Sequence, residues 1–288
     1  MIPVLAPPRS CSSLIAAMLG QHPELYASAE LECFTGNSIG DCFGFAERVP
    51  VVTLHGLLRT VAQLRCGVQN DASITAARQW LEARSHWSGA DLVAWIEAQI
   101  TPRRLIDKSP IHVLRWPCLR RLAVACGDQP LLHLSRHPLR AVQSLVGAYS
   151  KRGQRLTVSE ALRTWLVGHR YCLRYREQLA QAPSLLMRSE DVLADPEGSL
   201  ARVCRHLGIA DHPAVIAAML HPERSPYACR GPRHASSGND PHWMASPALR
   251  RGISSVSSPS LKDLWDLPDV EPELVILAVQ LGWELGYS

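Results

Sequence analysis

The stretch that most constrains this chain is Pro7-Pro8-Arg9-Ser10-Cys11-Ser12-Ser13-Leu14-Ile15, set between an apolar run from Ile2 to Ala6 and a helix pattern of about Ser12 to Gly20. A strand, a short polar loop and a helix start follow one another there. Such a loop aims free backbone N–H groups and the positive end of a helix dipole at one point, and small hydroxyl residues let an anion come close. Arg9 adds a charged fork that fits phosphate-like oxygens. The triphosphate-binding pattern Gly-x-x-x-x-Gly-Lys-Ser/Thr does not occur in the chain, so the loop points to a phosphate but not to ATP. An ordinary serine-capped helix is the plain alternative.

Further strands end in the same manner. Arg104 to Asp107 is a short apolar strand running into Lys108-Ser109-Pro110, and Leu114 to Cys126 then has helical spacing. Pro130 to Ser135 is another, ending in Arg136-His137-Pro138 before a helix from Leu139 to about Tyr149. Ser184 to Met187 is a third, with a helix after Asp195-Pro196. Strands alternating with helices predict an α/β fold, a single P-loop-like domain with a central parallel sheet flanked by helices. Ligands of such sheets bind beyond the carboxyl ends of the strands, where Arg9, Lys108 and Arg136 would gather.

Between these strands, apolar spacing of three and four predicts helices over Val51 to Cys66, Ile74 to His86 and Ala90 to Ile100, a helical insertion of about residues 47–100 with Trp80, Trp87 and Trp95 as core. The segment from Pro23 to Ala46 lacks periodicity, carries Glu30 and Glu32, and is where an acceptor pocket could begin. Residues of about 225–260, rich in Pro, Gly and Ser, read as a long loop or lid. Glu271 to Gly282 closes the chain as a helix.

Gly20-Gln21-His22-Pro23-Glu24-Leu25, taken with Pro8-Arg9-Ser10, resembles the opening of the PAPS-dependent sulfotransferases, in which the loop binds the 5′-phosphosulfate of 3′-phosphoadenosine-5′-phosphosulfate (PAPS). The resemblance implies donor binding by Pro8, Arg9, Ser10, Cys11, Ser12 and Ser13, with Cys11 standing where the family usually has Gly. Ser135-Arg136-His137-Pro138, with Ser144 eight residues after the arginine, is similar to the family's 3′-phosphate site. Met187 to Val192, continuing through Asp195-Pro196 to Leu207-Gly208-Ile209, resembles its Arg-Tyr-Glu-Asp-Leu segment and the helix that ends in Leu-Gly, with Ser189 in place of Tyr. His234 to Asn239 resembles a His-x-x-Ser-Gly-Asn-Pro segment, interrupted here by Asp240. Arg250-Arg251-Gly252 is similar to an Arg-Lys-Gly contact to the same phosphate.

For catalysis, the resemblance places Lys108 beside the sulfuryl group, where an ammonium would stabilise charge on the oxygen that bridges sulfate to phosphate. Glu30 lies twenty-one residues after Arg9, the offset of the catalytic glutamate in tyrosylprotein sulfotransferases. His112 is the second candidate base, similar to the Lys-Thr-His of cytosolic sulfotransferases with a shifted spacing. The expected products are a sulfated acceptor and 3′,5′-phosphoadenosine (PAP). The acceptor would be a hydroxyl or amine on a small molecule or a carrier-protein-bound intermediate, and no metal is required. A kinase with a similar loop and a non-catalytic PAP- or PAPS-binding module are the rival readings.

Composition narrows the setting. A net charge of +4 without basic or acidic blocks argues against a general nucleic-acid binder. Nine cysteines without a Cys-x-x-Cys pair, and no bilayer-length apolar run, fit a reduced, soluble, cytoplasmic protein. The chain has only three lysines, Lys108, Lys151 and Lys262, and one of them falls on the motif after the second strand predicted above.

Overall fold

The computed structural model describes residues 1–180, 182–250 and 259–288. Five strands form one parallel sheet: β1 (Ile2–Leu5), β2 (Leu25–Ala27), β3 (Arg104–Asp107), β4 (Leu131–Ser135) and β5 (Ser184–Arg188), in the order β2-β3-β1-β4-β5. Helix α1 (Ser12–Leu19) follows β1. Helices α2 (Ile39–Arg48), α3 (His55–Cys66), α4 (Asp71–Glu82) and α5 (Gly89–Ile100) lie between β2 and β3, and α6 (Trp116–Cys126) leads to β4. Next come α7 (Pro138–Ser150) and the long α8 (Val158–Gln178) before β5. After β5 run α9 (Ser189–Ala194), α10 (Pro196–Leu207), α11 (Pro213–Met219), α12 (Pro241–Ala245) and α13 (Pro272–Glu284). None of the helices among the described residues is long and apolar enough to cross a membrane.

Period-two alternation divides the strand side chains between two cores. Ile2, Val4, Ile106, Leu132 and Leu134 pack with α1, α10 and α11 on one face. Leu5, Leu105 and Leu131 face the other way, into a core built with α3 to α6 and α8. With both faces covered, the strands read as nearly continuous apolar runs, and for that reason β1, β3, β4 and β5 lie within a residue of their expected positions. A third apolar cluster joins α7, α8 and α13 beside the sheet.

Several elements depart from expectation, among them α2, which falls in the segment read as lacking periodicity, and α4, which starts three residues early. β2 is only three residues long, too short for any period to show. The helix expected from Val51 begins at His55, because Leu54 takes a left-handed backbone (φ 54°) that ends the loop before it. Helix α8, unforeseen, buries Leu162, Trp165, Leu166, His169 and Cys172 at helical spacing, while Arg163, Arg170 and Arg174 face solvent between them.

Residues 225–250 contain little regular structure but pack closely. Tyr227 is 1% exposed and its hydroxyl meets that of Tyr26 at 2.5 Å, while Trp243 and Met244 pack on Ala17 of α1. Arg59 of α3 is the fastening between this segment and the helices. Its side chain is wholly buried, with Nε donating to Gln69 Oε1 (2.7 Å), Nη1 to the Ser237 carbonyl (3.1 Å), and the guanidinium 5.7 Å from the Tyr227 ring centre.

A buried cation held by carbonyl oxygens and an aromatic face leaves those acceptors without a donor when it is removed. Arg59→Met should therefore cost about 2–4 kcal/mol. The expected result is a lowered melting temperature with faster amide exchange across 227–239, measured by hydrogen–deuterium exchange. Unchanged exchange there would show that Arg59 is not the fastening.

Candidate active site

The loop after β1 turns on two left-handed residues, Arg9 (φ 72°) and Cys11 (φ 56°). For residues with a Cβ each such conformation costs about 1–2 kcal/mol. Cys11 thus holds, at that cost, the backbone that glycine takes freely. It stands at the N-cap of α1 without a side-chain cap, which leaves the helix N-terminus facing the cavity with its dipole unshielded. The Ser10 hydroxyl is fully buried with no hydrogen-bond partner among the described residues. Both features suit an anion on the loop.

Arginines converge on the same loop from the next strand. Arg9 Nε donates to Ser144 Oγ on α7 at 2.9 Å, and Arg136, at the end of β4, donates from Nη1 to the Arg9 carbonyl at 3.1 Å. Trp165 of α8 steadies Arg136 by donating Nε1–H to its carbonyl at 2.9 Å. Arg9, Arg136, Arg250 and Ser144 line one cavity of about 400 Å³. Arg251 and Gly252 lie outside the described residues. Asp240 enters this cluster, its Oδ2 2.5 Å from Arg9 Nη1.

On the other side of the loop, Lys108 follows β3 and is 1% exposed. Its ammonium donates to Ser13 Oγ at 2.8 Å and to Glu30 Oε1 at 2.5 Å. The Glu30 segment is laid against the loop after β3 by three further bonds. Leu31 N–H donates to Asp107 Oδ1 (3.4 Å), Glu32 N–H to Ser109 Oγ (3.0 Å) and Phe34 N–H to His112 Nε2 (3.4 Å). Behind Glu30, three backbones touch: Glu30 N–H donates to the Gly238 carbonyl (2.8 Å), and a Cβ on Gly56 would stand 2.2 Å from the Glu30 carbonyl oxygen. Only glycine fits at 56.

Glu30 lines a second cavity of about 240 Å³ together with Pro8, Ser12, Val52, Ile111 and Tyr149. Arg9, Cys11, Ser13 and Asp240 border both cavities. The structure thus brings Glu30, Lys108, Arg9, Arg136 and Ser144 to one place, with Ser10 beneath the loop. It sets His112 in the wall behind them, where its Nε2 is used by the Phe34 N–H and its ring packs edge-on to Phe34. Burial pushes the His112 imidazole down to about 3, so it stays neutral in the fold. With that nitrogen occupied, His112 is a brace between two loops.

Sequence reasoning left other roles unread. Arg188 and Asp191 pair with each other (Nε to Oδ2 2.8 Å), Glu190 accepts the His137 N–H at 2.9 Å, and the segment they form ties β5 to the start of α7. Glu32 is buried, with Oε2 accepting the Leu54 N–H at 3.0 Å. Burial first, and the Glu30 charge second, push its carboxyl up to about 8. Its place, two residues beyond Glu30 in an unpatterned segment, was the only signal. Asp240 carried one as well, being an acid set directly before a proline among arginine-rich loop residues.

Residues 2–213 match a family model described as the sulfotransferase family. Among solved structures, the sulfotransferase domain of the olefin synthase from Synechococcus PCC 7002 is similar with a TM-score of 0.76 and 23% identity, over 100% of this chain and 94% of that one. The sulfotransferase domain from the curacin biosynthetic pathway gives 0.74 and 22%, over 98% of this chain and 97% of that one. At these identities the likeness is one of fold. No curated protein sequence matches the chain.

The Glu32 carboxyl fixes the sign of a pH dependence. With its folded value near 8 against 4.5 for a free glutamate, the folded state holds a proton that the unfolded chain gives up. Stability is full below the lower value and falls as pH rises through the higher one. Glu32→Gln removes this titration. Thermal melts between about pH 5 and pH 9 should show a fall for the wild type that is smaller in the variant. Parallel curves would mean that Glu32 ionises in the fold as it does in water.

Proposed function

We infer that this chain, which belongs to the sulfotransferase family, moves a sulfuryl group from PAPS to a hydroxyl or amine acceptor, with Glu30 as general base. The observation that carries the reading is the Lys108 ammonium, which links Ser13 on the anion loop to Glu30 in the neighbouring cavity through bonds of 2.8 and 2.5 Å. A single buried cation then touches both the group that receives the donor and the group that receives the acceptor's proton.

The donor supplies the activated sulfuryl group and leaves as PAP. In this reading the loop from Pro8 to Ser13 and the α1 N-terminus hold its 5′ end, and Arg136, Ser144 and Arg250 hold its 3′-phosphate. The acceptor oxygen or nitrogen forms its bond to sulfur as the bond from sulfur to the bridging oxygen breaks. The leaving electron pair stays on that oxygen, and Lys108 offsets its charge. The acceptor's proton passes to Glu30. Arg9, with its Nε on Ser144, spans the two ends of the donor. Catalysis here is placement and electrostatics.

The acceptor cavity is walled by aliphatic side chains, with Tyr149 and Arg152 on its α7 side, which suits a largely apolar acceptor. The two similar domains belong to an olefin synthase and to the curacin biosynthetic pathway. That favours trying a carrier-tethered hydroxyl alongside free alcohols and amines. Incubation with labelled PAPS and each acceptor class is the direct assay, and label on none of them, with PAP bound, would favour a non-catalytic module.

Two variants test the residue roles. Arg136→Ala removes a charged fork from a partly buried phosphate and should weaken PAP binding by about 2–5 kcal/mol while scarcely altering AMP binding. Calorimetry showing equal affinities of the wild type for PAP and AMP would remove the 3′-phosphate role. Glu30→Gln keeps the shape but not the proton acceptor, so turnover should fall about 10²–10⁴-fold with PAP affinity nearly intact. Because Lys108 then loses its carboxylate, the variant should also be about 1–3 kcal/mol less stable. An active Glu30→Gln enzyme would end the assignment.

A further inference from the structure

We propose that Asp240 is a resident anion on the donor loop, occupying in the free protein the place on Arg9 that the donor's 5′ oxygens take, so that the donor binds by displacing it. The inference rests on the donor reading given above.

Three observations carry it. The Asp240 carboxylate sits 2.5 Å from Arg9 Nη1, with the two side chains 24% and 15% exposed, so the pair is largely out of water. Its backbone N–H donates to Ser13 Oγ at 3.0 Å, on the same hydroxyl that accepts from Lys108. Asp240 is therefore bonded to the loop through both its side chain and its main chain. Finally, it borders both cavities, and among the residues described as lining the arginine-rich one it is the sole carboxylate, set against Arg9, Arg136 and Arg250.

A guanidinium fork receives a carboxylate and a phosphate or sulfate through the same N–H groups. An anionic donor reaching Arg9 meets a negative charge already seated, and the two cannot share the fork at contact distance without strong repulsion. Donor affinity is then reduced by the fraction of molecules in which Asp240 is off the loop. Release needs no movement of α12, whose Trp243 and Met244 are packed on α1: the Arg9 contact is made by Oδ2, while Oδ1 accepts the His242 N–H at 2.8 Å, so a turn of the one side chain frees the fork.

The test is Asp240→Asn, which preserves size and capping capacity but removes the charge. PAP binding is measured by calorimetry on wild type and variant, alongside melting temperature without ligand. The expected result is roughly ten-fold tighter PAP binding by the variant, as for a seated state outweighing the free one by that factor, with a lower melting temperature of the free protein. PAP binding by the wild type with equal or weaker binding by the variant would overturn the inference alone, the weaker case meaning that Asp240 positions Arg9 for the donor. No PAP binding by either protein would overturn the donor reading and this inference with it.

Discussion

An ammonium taken out of water has to find fixed partners, and Lys108 at 1% exposure is the group around which this structure is settled. Its partners come from opposite directions, Ser13 from the first helix and Glu30 from the unpatterned segment after β2. To hold Glu30 there, the chain stitches its backbone to Asp107, Ser109 and His112 on one side and to Gly238 on the other. The close approach at Gly56, the burial of Arg59 and the packing of residues 225–250 all serve that second contact. The cavity geometry follows from the need to neutralise one cation.

What could be read from the sequence was what lies along the chain. A strand buried on both faces writes itself as a short apolar run, and a parallel sheet sets the residue after each run at one edge, so Arg9, Lys108 and Arg136 could be gathered before any coordinates. The loop's left-handed turn at Cys11 could not, because nothing in a cysteine announces a positive φ. Contacts between distant segments were equally hidden. The Lys108–Glu30 pair joins residues 78 apart, and Arg9–Asp240 joins the start of the chain to a segment whose composition suggested only a loop. His112 shows the same limit from the other side: the resemblance offered it as a second base, and only the structure shows it buried with its Nε2 accepting the Phe34 N–H.

Charge is distributed unevenly over the two cavities, and this separates their tasks. The arginine-rich one gathers hydrogen-bond donors from the loop after β1, the end of β4, α7 and the irregular segment that carries Arg250, as suits recognition of several oxygens at once. The other has carboxylates at its floor, Glu30 paired and Glu32 held protonated by its surroundings, under aliphatic walls. Of these two acids, two residues apart in sequence, Glu30 takes the Lys108 ammonium as its partner while Glu32 is bonded to the Leu54 backbone N–H in a buried place.

The scarcity of lysine has a practical side. With Lys108 enclosed, Lys151 and Lys262 are the exposed side-chain amines. Lys151 stands next to Arg152, which lines the cavity holding Glu30, whereas Lys262 is in the short turn before α13, between Leu261 and Leu264 of the third apolar cluster. Replacing Lys151 by arginine would leave Lys262 as the one accessible lysine, a single defined handle by which the protein could be tethered to a solid support.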